Sequence, residues 1–289
     1  MTPPTSPNPK RLALVVLAGG QGSRFQASAS ASNSNVLSQN EQNKLLTPLH
    51  GQPCLYWALA GCLASIQQTT SVQLSSVVCV APKAWQPLYA EILAPLLSPL
   101  ATQTPISWVE GGNERYDSVY HALQQLERLS ATNSTPPTDW VMIHDAARPV
   151  VPQQAVIQLL HTLTASVEPL FHGGSVGTPC SDTIKRIHPP AGDASVMSIA
   201  CNADRHELMA VQTPQCFQWQ ALWQAHQRYQ TWAMHTPHPR PSVTDDCHLL
   251  EQCLPQAKVC IQPAPASNIK LTQASDVRLA EALLANSLS

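Results

Sequence analysis

The stretch Arg11-Leu12-Ala13-Leu14-Val15-Val16-Leu17-Ala18-Gly19-Gly20-Gln21-Gly22-Ser23-Arg24-Phe25 decides the fold. Residues Arg11–Leu17 form a continuous β-rich apolar run, which predicts a strand buried on both faces, as in a parallel sheet. A glycine-rich turn follows at once. Glycines let the backbone approach a ligand closely and aim several N–H groups at one cluster of oxygens. Arg24 adds a planar cationic fork suited to phosphate. The turn has neither the G-K-[ST] ending of a Walker A loop nor the spacing of a G-x-G-x-x-G fingerprint. An ordinary glycine turn stays open as the alternative.

Toward the N-terminus, residues 1–10 (MTPPTSPNPK) are rich in Pro and Thr and predict a disordered tail. Lys10 and Arg11 ahead of an apolar run raise the question of a secretory signal. The run is cut off by the glycine turn too early for that, and is far short of a ~20-residue membrane span. Toward the C-terminus, residues 26–43 are dominated by Ala, Ser, Asn and Gln and predict a flexible loop. Beyond it, predicted helices (Tyr56–Ser65, Gln86–Leu97 interrupted by Pro95, Glu114–Leu129, Gln153–Thr164) alternate with predicted strands (Ser76–Ala81, Ile106–Val109, Trp140–Ile143). That alternation argues for an α/β fold: a mostly parallel twisted sheet with helices on both faces and working residues at the strands' carboxyl ends. The second part is less regular. Gly173–Thr178, Thr183–Ile187 and Val196–Ala200 read as strands, the last two within a projecting β-arm over about residues 181–202. Gln218–Thr231, Asp245–Gln252 and Ala274–Leu284 read as helices, the last with Asp276 and Glu281 toward solvent, and Lys258–Ile261 as a strand. Residues 11–289 are read as a single domain.

Composition narrows the function. The 289 residues are 44% hydrophobic, ample for a core, but only 12% charged, with a formal net charge of −2. A broad polyanion-binding surface is excluded, so no nucleic-acid or membrane partner is expected and any phosphate site must be local. The nine cysteines are odd in number and contain no C-x-x-C pair. They read as small buried hydrophobes in a reducing compartment, which makes the cytoplasm the expected location. Trp219, Trp223 and Trp232, at near-helical spacing, read as a packed core or dimer face rather than a stacking platform. His235, His238, Asp245, Asp246 and His248 read as a surface loop rather than a metal cluster. Asn133-Ser134-Thr135 matches a glycosylation acceptor by coincidence.

Four further segments carry chemistry. Lys44 stands among apolar neighbours in Lys44-Leu45-Leu46-Thr47. Gly111-Gly112-Asn113-Glu114-Arg115-Tyr116-Asp117-Ser118-Val119 puts two glycines before a helix N-terminus, whose free N–H groups suit an anion; a plain cap by Asn113 is the alternative. Ile143-His144-Asp145-Ala146-Ala147-Arg148-Pro149 follows a strand and sets a carboxylate near a guanidinium, a pair able to bind a polyhydroxylated phosphate or simply to form an internal salt bridge. Ser267-Asn268-Ile269-Lys270-Leu271-Thr272 is a polar turn running into a lysine.

The strings LAGGQGSRF, GGNERYDSV, IHDAARP, CSDTIKR, AVQTPQ and SNIKLT, in this order from about Arg11 to the C-terminus, resemble the bacterial-type 2-C-methyl-D-erythritol 4-phosphate cytidylyltransferases of the non-mevalonate isoprenoid pathway. The resemblance implies a Rossmann-like nucleotidyltransferase fold and a homodimer joined through the β-arm. The implied reaction joins CMP from CTP to methylerythritol phosphate and releases pyrophosphate, with Mg²⁺ held mainly through the CTP phosphates and no protein metal cage. It further implies that Gly20, Gly22, Ser23, Arg24 and Lys44 hold the triphosphate, beside Gly19. Ala18, Gly112, Asn113 and Ser118 read cytosine, largely through backbone groups. Asp145, Arg148, Thr183, Arg205 and Thr213 bind the acceptor, and Lys270 sits near the α-phosphate; Arg24, Lys44 and Lys270 are the catalytic set. Two other readings are a ribitol 5-phosphate or other sugar-phosphate cytidylyltransferase, and a non-catalytic CTP-binding relative. The chain departs from the family in a longer segment between Arg24 and Lys44, in Asn113 where Asp is frequent, and in Ser267 where an acidic residue is frequent.

Overall fold

A computed structural model describes residues 8–19, 43–132, 138–165, 170–188, 196–235 and 243–288. The predicted N-terminal tail (but for residues 8–10), nearly all of the 26–43 loop, Asn133-Ser134-Thr135 and His238 lie outside the described residues, as do Gly20, Gly22, Ser23 and Arg24.

The strands are β1 Lys10–Leu17, β2 Pro48–Leu49, β3 Gln52–Pro53, β4 Val72–Val80, β5 Ile106–Val109, β6 Trp140–Asp145, β7 Gly173–Pro179, β8 Lys185–His188, β9 Ser198–Asn202, β10 Met209–Gln218 and β11 Val259–Pro263. The helices are α1 Cys54–Gln67, α2 Gln86–Leu97, α3 Arg115–Ala131, α4 Gln153–Thr164, α5 Trp219–His235, α6 Asp246–Cys253 and α7 Asp276–Leu288. The main sheet has seven strands in the order β11-β7-β10-β6-β1-β4-β5. Neighbours run parallel except around β10, which is antiparallel to both β6 and β7.

β1 lies inside this sheet, between β6 and β4, and its side chains alternate between two cores. Leu12, Leu14 and Val16 pack with Leu55 and Leu59 of α1, Leu93 of α2 and Leu159 of α4. Ala13 and Val15 face the opposite layer, with Val119 and Leu123 of α3, Leu222 and Tyr229 of α5, and Leu250 of α6. Burying each such aliphatic side chain contributes roughly 1.5–3 kcal/mol, so a strand apolar on both faces belongs at the centre of a three-layer sandwich. α7 closes a smaller cluster through Ala280 and Leu284 against Leu49 and Leu271. Asp276, read as solvent-facing, is half-buried and caps the turn before α7 by accepting from the N–H groups of Thr272 and Gln273.

Some expectations need correcting. The sequence reading has no strand at β10, because Gln212-Thr213-Pro214-Gln215 is polar and contains a proline. The β10–β7 register breaks between Val211 and Gln215, so Pro214 falls where no ladder N–H is required. Pro95 does not interrupt α2, which runs through to Leu97. It stands in the last turn with Glu91, four residues back, also exposed, so the carbonyl that loses its partner is on the solvent side of the helix. The cap of α3 is Glu114, which accepts from the Asp117 N–H while Asp117 accepts from the Glu114 N–H; Asn113 lies one residue outside. Asp245, Asp246 and His248 are not in a surface loop. Asp245 caps α6 by accepting from the His248 N–H, and Asp246 is buried.

β8 and β9 pair with each other and not with the main sheet. Trp219 and Trp223 stack at 5.6 Å, and Tyr120 stacks on Trp223 at 5.6 Å. The described cysteines are unpaired thiols, and burial pushes the Cys54, Cys62 and Cys216 thiols far up and Cys79 to about 12, as inert core residues require. No helix among the described residues is long and apolar enough to cross a membrane.

Candidate active site

At the carboxyl ends of β1, β5 and β6 lies a pocket of about 390 Å³. Leu17 and Gly19 enter it from the end of β1, Gly112, Asn113, Glu114, Arg115 and Ser118 from the β5–α3 junction, and Asp145 and Ala147 from the end of β6. Lys44 and Leu45 close one side and Lys270 another. This is where an open, mostly parallel sheet presents its loops to a ligand.

The β5–α3 junction is built for close approach. The Gly112 N–H donates to Ser118 Oγ at 3.0 Å, and Ser118 Oγ donates back to the Glu114 carbonyl at 3.2 Å. A Cβ on Gly112 would stand 2.2 Å from the Asp117 Cβ, so the turn accepts only glycine without a shift of α3. Ser118 thus shapes the pocket wall.

Asp145 is the hub of the charges. It receives Arg115 Nε on Oδ1 at 3.3 Å and Lys270 Nζ on Oδ2 at 2.6 Å. Burial alone would push its carboxyl up, but the Arg115 and Lys270 cations overrule this and hold it well below the usual carboxylate range. Arg115 continues inward, donating from Nη1 to Asp246 Oδ2 at 2.6 Å. Burial would lower the guanidinium's pKa, yet the two carboxylates raise it, so it is permanently charged. Asp246 is likewise held below the usual range: desolvation opposes this, and Arg115 with His226, whose Nε2 is 3.7 Å away, decides it. Gln215 of β10 ties this layer down, accepting from the Asp246 N–H and donating to Asp245.

A second set of bonds laces together the turn after β6, β10 and the 267–272 turn. Arg148 donates from Nη1 to the Asn268 carbonyl at 2.7 Å. Asn268 is fully buried and donates to Gln212 Oε1 and to the Thr213 carbonyl. The Leu271 N–H donates to the Ala147 carbonyl, and Lys44 Nζ to the Leu271 carbonyl at 3.1 Å. The segment carrying Lys270 is therefore held through its own backbone, at Asn268 before the lysine and at Leu271 after it. Lys270 itself remains 40% exposed and faces the pocket.

Of the residues picked from sequence, Gly19, Lys44, Gly112, Asn113, Ser118, Asp145 and Lys270 meet in this pocket. Ala18 lies just behind it, with its N–H already given to the Val80 carbonyl. Arg148 is turned to Asn268, and the Asp145–Arg148 salt bridge that the spacing allowed is not among the ion pairs of the described residues. Thr213 is buried below the pocket, its hydroxyl accepting from the Asp145 N–H at 3.1 Å and lying 3.1 Å from His144 Nδ1. Thr183 and Arg205 lie at the base of the β8–β9 hairpin, outside the pocket lining; both are exposed, and Arg205 donates to the Ser181 carbonyl. The sequence reading missed Arg115 as a site residue, though it stands inside the glycine motif. It also missed Asp246 as its partner, 131 positions away, for which no local signal exists.

A strand-end pocket on a doubly wound α/β sheet, with glycine-shaped backbone on one wall and lysines on others, defines a protein that handles phosphorylated small molecules. Residues 12–286 match the 2-C-methyl-D-erythritol 4-phosphate cytidylyltransferase family. The chain belongs to this family. A protein of that name from a Synechococcus species is 32% identical, over 94% of this chain and 95% of its own. One from Prochlorococcus marinus is 30% identical, over 94% and 97%. The fold is shared with a 4-diphosphocytidyl-2C-methyl-D-erythritol synthase from Anaerococcus prevotii (TM-score 0.68, 20% identity, 96% of this chain and 99% of that one). It is also shared with the Thermus thermophilus cytidylyltransferase (TM-score 0.59, 21% identity, 94% and 98%).

Proposed function

We propose that this chain transfers CMP from CTP to 2-C-methyl-D-erythritol 4-phosphate, releasing pyrophosphate, as a step of isoprenoid precursor synthesis. The observation that carries the reading is the meeting of Gly19, Gly112, Asp145 and Lys270, from four separate segments, in one pocket of a family member. An oxygen of the acceptor phosphate, already anionic at neutral pH, attacks the α-phosphorus. A phosphorus–oxygen bond forms there as the bond to the β-phosphate oxygen breaks, and pyrophosphate leaves with that electron pair. No side chain has to remove a proton. The demand is to bring two polyanions together and to stabilise charge on the α-phosphoryl group.

Lys270 and Lys44 answer that demand from two sides of the pocket, with Arg24, Gly20, Gly22 and Ser23 assigned to the triphosphate. Ala18, Gly112, Asn113 and Ser118 are assigned to the cytosine. Asp145 and Arg148, with Thr183 and Arg205 of the arm, are assigned to the acceptor; Thr213 serves that side through Asp145. Mg²⁺ fits the donor set as an ion carried by the substrate: each Asp145 oxygen already faces a cation, and Mg²⁺ keeps waters and phosphate oxygens as its main ligands. When bound it supplies neutralisation of the triphosphate. A homodimer through the β8–β9 arm is supported by that arm's apolar surface, with Ile187, Val196, Met197 and Ile199 each more than half exposed.

Pyrophosphate release with CTP and Mg²⁺, measured with methylerythritol 4-phosphate and with ribitol 5-phosphate, tests the reading. Release only with ribitol 5-phosphate would move the acceptor while keeping the chemistry; CTP binding with no release from either would overturn the catalytic assignment. Removal of the metal with EDTA should stop turnover. Light scattering should give twice the mass of the chain.

A further inference from the structure

His144, the last residue but one of β6, is fully buried, next to the hub of the site but not in the pocket lining. Its two ring nitrogens each face one partner. Nε2 is 3.0 Å from the Arg148 carbonyl, and Nδ1 is 3.1 Å from Thr213 Oγ1. A carbonyl oxygen only accepts, so Nε2 must carry a proton. Thr213 Oγ1 already accepts the Asp145 N–H, and Thr213 is 5% exposed, so its own proton needs an acceptor that water does not readily supply. The Nδ1 lone pair is that acceptor. Burial, only partly offset by the Arg148 carbonyl and by Asp145, lowers the ring's pKa to about 4, which agrees with a single ring proton.

We propose that His144 is a positioning residue of the transfer site, held as the neutral Nε2–H tautomer. In that state the bonds form one directional chain: Asp145 N–H to Thr213 Oγ, Thr213 O–H to His144 Nδ1, and His144 Nε2–H to the Arg148 carbonyl. The chain grips both ends of the Asp145–Arg148 turn. Asp145 stands at one end, orienting Lys270 and Arg115, and Arg148 at the other. One flat ring therefore sets the separation of two groups assigned to the acceptor. This inference rests on the proposed function for its kinetic consequence, but its tautomer does not depend on activity.

The test uses the full chain, labelled with ¹⁵N histidine. His144 is assigned by the signal missing from His144→Gln. The expected spectrum at neutral pH shows a neutral ring protonated at Nε2, and Thr213→Val shifts the Nδ1 resonance as its donor is lost. A protonated ring, or the Nδ1–H tautomer, would overturn the proposal. The kinetic arm compares His144→Asn, whose amide reaches the Nδ1 position, with His144→Gln, whose amide reaches the Nε2 position. Each keeps one anchor, and each is expected to raise KM for the acceptor about fivefold to tenfold, as one hydrogen bond dictates, with KM for CTP within about twofold. Equal effects on both substrates, or none in either variant, would reduce His144 to a packing residue. An inert wild type would sink the proposed function together with this one. An active wild type with unaffected variants would sink this one alone.

Discussion

The same histidine gives the chain a stability that depends on pH in a window of its own. His144 is fully buried and its pKa in the folded protein is about 4, against about 6.5 in an unfolded chain. The folded state thus holds the ring neutral where the unfolded state would protonate it. The sign follows: as pH falls below about 6.5 the unfolded chain gains a proton that the folded chain refuses, and stability declines until the folded ring protonates near pH 4. The difference corresponds to about 3 kcal/mol in full, of which about 2 kcal/mol is lost by pH 5. Asp145 and Asp246 act in another window. Their folded pKa values are depressed, so their contribution is intact above the ordinary carboxylate range and fades only as pH falls through it. Denaturant unfolding of the wild type and of His144→Asn, each at pH 7.5, 6.5, 5.5 and 5.0, separates the two. The informative quantity is the slope. The gap between the curves should shrink by about 2 kcal/mol toward pH 5. Parallel curves would refute the account, because they would mean that the buried ring does not resist protonation.

Asp246→Asn leaves Arg115 buried with one carboxylate instead of two, and should cost about 3 kcal/mol in chemical denaturation; a cost below about 1 kcal/mol would mean that the Arg115–Asp246 pair is replaceable by water. Gly112→Ala drives a methyl group against Asp117 and should displace the start of α3, raising KM for CTP by about tenfold or more while thermal stability drops by roughly 1–3 kcal/mol. Lys270→Ala should lower kcat by about a hundredfold or more with a smaller change in KM for CTP, since its charge matters most as negative charge builds on the transferring phosphoryl group. A pure KM effect would place Lys270 in ground-state binding only.

Local physics made much of the fold legible. The apolar run at β1 is buried on both faces because its alternate residues serve two cores, and a strand with no polar face has nowhere else to go. The helices α1, α3, α4 and α6 declare themselves by apolar stripes, and their predicted ranges differ from the observed ones mainly at the ends, where frayed turns and caps carry little periodicity. The two glycines before α3 and the polar turn at residues 267–272 were readable as site segments because glycine and lysine in those settings have few packing roles. β10 was not readable, since its middle is Gln, Thr and Pro. It is a strand only because neighbours on both sides supply partners and its register slips where Pro214 stands.

The sequence by itself determined the alternation of strands and helices, the strand-end placement of the glycine turns, and the family. Tertiary structure decided how the charges are shared. The Asp145 carboxylate could have bonded Arg148 three residues on, yet it bonds Arg115 and Lys270, which arrive from 30 and 125 positions away. Thr213, a candidate ligand by motif, became the link between Asp145 and His144. The physical reason is that a buried polar group must find its partner wherever the folded chain brings one. Which partner arrives depends on the order of strands across the sheet, a property that no local spacing contains.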